Sequence, residues 1–121
     1  MKILDRICGW LLIVGACGHS MGSYNAYKGQ PMTLLWALSA SIAGILLAAL
    51  NLLRAGRPAD RPLIGVCVGG NLVWLVFVYV FGRLIGNLLD FRVVIQATIT
   101  IVLLILSLRA ALGAAQARSA E

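Results

Sequence analysis

The residues Gly18-His19-Ser20-Met21-Gly22 spell Gly-x-Ser-x-Gly, the pattern with which α/β hydrolases present a nucleophilic serine on a sharp strand-to-helix turn. That chemistry needs a histidine base reaching the serine from elsewhere in the fold. His19 is the only histidine in the chain, and a helical neighbour points about 100° away, so it is badly aimed at Ser20. The motif reads instead as a small-residue helix end, and the chain as a non-enzyme. Cys8, Cys17 and Cys67 show no Cys-x-x-Cys spacing and read as small apolar side chains. One histidine with distant cysteines supplies no metal or haem ligand set. No cofactor is expected beyond a bound lipid or quinone.

A second set of residues has the chemistry of binding rather than reaction. Of the nine aromatic residues only Trp10 falls in the half of the molecule that holds the chain ends; Tyr24, Tyr27, Trp36, Trp74, Phe77, Tyr79, Phe81 and Phe91 fall in the other, outer half. His19, Asn25, Gln30, Arg83, Asn87, Asp90, Arg92 and Gln96 join them there. An aromatic belt at a membrane interface accounts for much of this asymmetry. The sharper expectation is a lipid or quinone headgroup site at the outer mouth. Arg83 and His19 would donate hydrogen bonds, Trp74, Phe77 and Tyr79 would form the wall, and Gln96 would add a polar contact.

The elements that must position these residues follow from the spacing of charge. The chain has 121 residues, 61% hydrophobic and 12% charged, where a soluble domain carries about 25% charged residues. Runs of 21, 25, 21 and 16 residues without formal charge separate Arg6 from Lys28, Lys28 from Arg54, Arg61 from Arg83 and Arg92 from Arg109. A bilayer core of roughly 30 Å takes about 20 apolar helical residues. The fold class is therefore an all-α integral membrane protein, a single domain of four spans over residues 7–21, 32–53, 63–84 and 91–112. Residues 113–121 are expected to form a flexible tail.

Local signals mark the joints. Gly22 and Ser23 are expected to end the first span, and Pro31 suits the first turn of the second. Residues 55–62 (Ala-Gly-Arg-Pro-Ala-Asp-Arg-Pro) are the clearest loop, with Asp60 as helix cap. Gly86 and Asn87 close the third span, and Asp90 caps the fourth. Short connections favour an up-down-up-down antiparallel bundle. Lys2, Arg6, Arg54, Arg57, Arg61, Arg109 and Arg118 share one side, against Lys28, Arg83 and Arg92 on the other. By the positive-inside rule both termini are cytoplasmic. The net charge of +6 is thus an orienting charge, not a nucleic-acid footprint. Val14-Gly15-Ala16-Cys17 has the outline of a lipoprotein signal end, but Asp5 is out of place in such a leader, and the first span is expected to be retained.

In length and number of spans the chain resembles the four-span transporters of the small multidrug resistance family. That family relies on a membrane-embedded glutamate in its first helix. Here Asp5, Asp60, Asp90 and Glu121 all read as lying outside the spans or at their ends, so the resemblance stops at size and implies no transport chemistry.

In lipid, helices associate through close backbone approach and interhelical hydrogen bonds. Gly18 and Gly22, Gly65 and Gly69, and Gly82 and Gly86 form Gly-x-x-x-Gly pairs. Ala37, Ser41, Gly44, Ala48 and Asn51 make one small-residue stripe on the second span, and Gln96, Thr100 and Ser107 share a face of the fourth. Most of these are expected in the internal seam, with one left for a partner. The reading that follows is an accessory or assembly subunit of a bacterial inner membrane, packing against a larger complex or itself. The alternative is a lipid-, quinone- or small-molecule-binding protein using the outer half.

Overall fold

A computed structural model describes residues 2–119. They form α1 (Lys2–Tyr27), α2 (Pro31–Gly56), α3 (Arg61–Leu84) and α4 (Phe91–Ser119), with no strand among the described residues. All four helices are long and apolar enough to cross a membrane. A helix of 26 residues is about 39 Å long, more than the roughly 30 Å of a hydrocarbon core. Large apolar side chains such as Val14, Trp36, Ile42, Val73, Val76 and Ile101 cover the outside. These are the features of an integral membrane protein, whose outer surface meets lipid tails instead of water.

The helix ends follow the chemistry of their residues. Pro31 occupies the first turn of α2, where its missing N–H is no loss. Asp60 Oδ1 accepts from Leu63 N at 3.1 Å and caps α3. At the other end of α3, Gly86 has φ +71°. That left-handed turn lets Asn87 N donate to Gly82 O and Gly86 N to Arg83 O, both at 3.1 Å, the paired bonds of a Schellman cap. Asp90 Oδ1 accepts from Arg92 N at 2.9 Å and from the Arg92 guanidinium, and this hydrogen bonding lowers the Asp90 pKa from its ordinary value.

Several boundaries differ from the expectation: α2 runs to Gly56 and α3 starts at Arg61, so the loop expected over residues 55–62 is confined to residues 57–60. α1 begins at Lys2 and passes straight through Gly22 and Ser23, ending at Tyr27. The terminator is the Gly29-Gln30-Pro31 turn, because the residue before a proline is pushed out of the helical region; Gln30 has φ −129° and ψ 79°. The segment from Gly113, expected as a flexible tail, is helical to Ser119. Ala110, Ala111, Ala114 and Ala115 are strong helix formers, and Arg61 Nη2 donates to Ala114 O at 2.8 Å. Ala120 and Glu121 lie outside the described residues, as does the side chain of Arg118.

α1 packs mainly on α2 and α3 mainly on α4, while α1 with α4 and α2 with α3 close the arrangement and α2 barely meets α4 across the centre. Cys8 and Leu12 from α1, Leu47 and Ala48 from α2, and Ile99 and Leu103 from α4 form the apolar core. Glycines allow the closest approaches. A Cβ on Gly44 would stand 3.2 Å from the Trp74 ring, and one on Gly70 would stand 2.8 Å from Leu47.

Candidate functional site

The interior of the bundle is not purely apolar. Asn51, Asn71 and Ser107, one each from α2, α3 and α4, are fully buried. Asn51 Nδ2 donates to Asn71 Oδ1 at 3.2 Å, and Asn71 Nδ2 returns a bond to Asn51 Oδ1 at 3.1 Å. Asn51 Nδ2 also donates to Leu47 O at 2.9 Å. Asn71 Nδ2 reaches Ser107 Oγ at 3.4 Å, and that hydroxyl donates to Leu103 O at 2.8 Å. The two amides thus satisfy one another across a helix pair, and the serine ties in a third helix.

One turn beyond Asn51 on α2, Arg54 pairs with Asp5 of α1. The arginine is 3% exposed and the aspartate 7%. Asp5 lies at a helix end, as expected, in the first turn of α1, yet it is buried. α1 begins earlier than expected, at Lys2, and the opposite charge of Arg54 is what makes the burial of Asp5 tolerable. The Cys67 thiol of α3 lies beside the same guanidinium. Arg54 Nε finds no hydrogen-bond partner among the described residues.

At a third level all four helices meet. Gly44 of α2 faces Ala16 of α1 and Trp74 of α3, and Gly15 of α1 faces the Gln96 amide of α4. Trp74 Nε1 and Gln96 Oε1 are both buried with no partner among the described residues. One is a donor and the other an acceptor, so the level offers a complementary pair of unmet hydrogen bonds.

The residues expected at an outer ligand site are distributed as follows. Trp74 and Gln96 turn into the bundle. Phe77 stacks on Trp74 with ring centroids 5.7 Å apart but is 54% exposed, and Tyr79 is 56% exposed. Arg83 and His19 are exposed at helix surfaces. Ser20 Oγ donates to Ala16 O at 3.1 Å and His19 Nε2 lies 3.5 Å from Ser23 Oγ; the Gly-x-Ser-x-Gly segment is one uninterrupted helix. Among the described residues no cluster of three or more His, Cys, Asp or Glu residues could hold a metal ion.

The small residues divide by direction. On the α2 stripe, Ser41, Gly44, Ala48 and Asn51 are buried and Ala37 is half-buried, and on α4 Thr100 and Ser107 are buried. Gly18, Gly22, Gly65 and Gly69 are exposed, and a Cβ on any of them would meet nothing within 4 Å. The glycines used inside are Gly9, Gly15, Gly44, Gly70 and Gly82. Spacing alone identifies a small face on a helix; it does not say which way that face turns.

No family model, curated protein or solved structure matches this chain.

Asn71 and the Asp5–Arg54 pair are the functional groups that sequence reasoning passes over. The usable signal for Asn71 is its type and depth, since an amide in the middle of an apolar span needs a partner inside the membrane. For Asp5 and Arg54 the signal is weaker, because charges at span ends ordinarily meet water. Breaking a buried ion pair from one side strands a charge, at a cost of about 3–5 kcal/mol, whereas replacing both partners by apolar groups is close to neutral. Arg54→Leu is therefore expected to destabilise the protein by that amount in detergent unfolding followed by circular dichroism. The double variant D5L/R54L should recover most of the loss.

Proposed function

We propose that this protein is a non-enzymatic accessory or assembly subunit of a bacterial inner membrane, docking transmembrane helices of a larger complex or of its own copies. One observation carries the reading. The Gly18/Gly22 and Gly65/Gly69 faces point outward with open space above them, while a different set of glycines serves the bundle. An outward Gly-x-x-x-Gly groove lets a second helix backbone approach closely, which is the main source of helix affinity in lipid.

The bundle is read as up-down-up-down with both termini cytoplasmic. Asp5 near the start of α1 meets Arg54 near the end of α2, and Arg61 at the start of α3 meets Ala114 near the end of α4. Both contacts support antiparallel neighbours. The arginine-rich connection between α2 and α3 supports the sidedness. In a cysteine-free background, Arg57→Cys should react with a membrane-impermeant maleimide only after permeabilisation, and Asn25→Cys should react in intact cells.

A second reading has its own support. The unmet Trp74 Nε1 and Gln96 Oε1 suit a lipid, quinone or other small molecule carrying both a donor and an acceptor. Native mass spectrometry from mild detergent separates the two. The first reading predicts an assembly larger than one chain that falls to the monomer in Gly65→Ile/Gly69→Ile or Gly18→Ile/Gly22→Ile, with unchanged helical content and melting temperature. A lone chain retaining a bound isoprenoid or lipid, indifferent to the glycine variants, would overturn it in favour of the second.

A further inference from the structure

The end of the bundle that holds the start of α1 and the end of α2 contains a cavity of about 270 Å³, lined by Lys2, Asp5, Arg54 and Arg109 together with Pro58 and Leu106. Three cations face one carboxylate, so the lining carries two uncompensated positive charges. Arg54 is 3% exposed. One of its nitrogens is taken by Asp5, and Nε carries a buried N–H with no acceptor among the described residues. A guanidinium in a cavity wall, held in place by a neighbouring carboxylate, is a preorganised half of an anion site.

We propose that this cavity binds a phosphate group, with the Arg54 guanidinium in its wall and the Lys2 and Arg109 side chains closing over the oxygens. Phosphate fits better than a carboxylate because its charge and oxygens match two free cations and several donors that converge from different directions. The wall also has an apolar part, Leu106 and Pro58, and Ile105, Leu108 and Leu112 of α4 are exposed. A basic pocket between helices at a membrane surface, with apolar side chains in its wall, suits the headgroup of an anionic phospholipid. Free phosphate offers the same oxygen chemistry without the chains.

The experiment is thermal unfolding of the full-length protein in mild detergent, with two arms. In one, mixed micelles contain phosphatidic acid, phosphatidylglycerol or phosphatidylcholine; in the other, potassium phosphate is compared with potassium chloride at equal ionic strength. The expected result is a rise in melting temperature of about 5 °C or more at saturation. It should appear with the anionic lipids and not with phosphatidylcholine. A rise confined to the lipid arm identifies the lipid headgroup, and one confined to inorganic phosphate identifies the free ion. K2E/R109E should abolish the rise, K2Q/R109Q should reduce it, and the distant surface variant Lys28→Glu should keep it. Neither residue takes part in the Asp5–Arg54 bond, and an unchanged circular dichroism spectrum establishes that each variant is folded. The proposal is overturned if neither anion raises the melting temperature above its control. It is equally overturned if K2E/R109E responds as strongly as Lys28→Glu.

Discussion

An amide side chain deep in a hydrocarbon layer has no water to turn to, and that constraint organises this protein. Asn51 and Asn71 exchange two hydrogen bonds at 3.1–3.2 Å, and Ser107 joins them from a third helix. Apolar side chains cannot do the same work in a membrane, because leaving lipid for protein interior gains them little. Directional bonds can, since each is made at only one rotation and depth of its helix. The reciprocal amide pair sets α2 against α3, and the serine sets α4 against both.

Arg54 and Asp5 extend this polar column by one turn and bring in α1, the helix that contributes nothing to the amide cluster. Between them the two groups specify neighbours, rotation and depth for all four helices. Glycines then take the positions where backbones come closest, as Gly44 does under Trp74 and Gly70 beside Leu47. With the interior assigned in this way, the Gly18/Gly22 and Gly65/Gly69 faces are left turned outward, and the proposed docking role rests on that direction.

Much of the fold is legible in the sequence because its signals are local. Four charge-free runs mark four helices, Asp60 and Asp90 cap where an acceptor is needed, and Gly86 takes the one positive φ in the described chain. The α2 stripe and the Thr100/Ser107 face are also legible, since periodicity says which residues share a side. The lower end of α1 is less so. Its buried Asp5 pairs with a residue 49 positions away, and a lone aspartate near a terminus gives no hint that an arginine waits for it. Gly22 misleads for a related reason: a glycine stops a helix only when the backbone has somewhere else to bond, and in an apolar setting continuing the helix is the available answer. The direction of the Gly-x-x-x-Gly faces and the pairing of Asn71 with Asn51 are properties of the packed bundle, and no single helix carries them.

The central claim is that the buried amides hold the helices in one arrangement, and the coupling between Asn51 and Asn71 tests it most directly. A double-mutant cycle with Asn51→Leu, Asn71→Leu and the double variant, read by unfolding in bilayer-like micelles, measures that coupling free of the cost of each substitution alone. Interhelical hydrogen bonds in membranes are worth on average about 0.6 kcal/mol and at most about 1.7 kcal/mol. Two reciprocal bonds should place this pair in the upper half of that range, at about 1 kcal/mol or more. A coupling indistinguishable from zero would contradict the account.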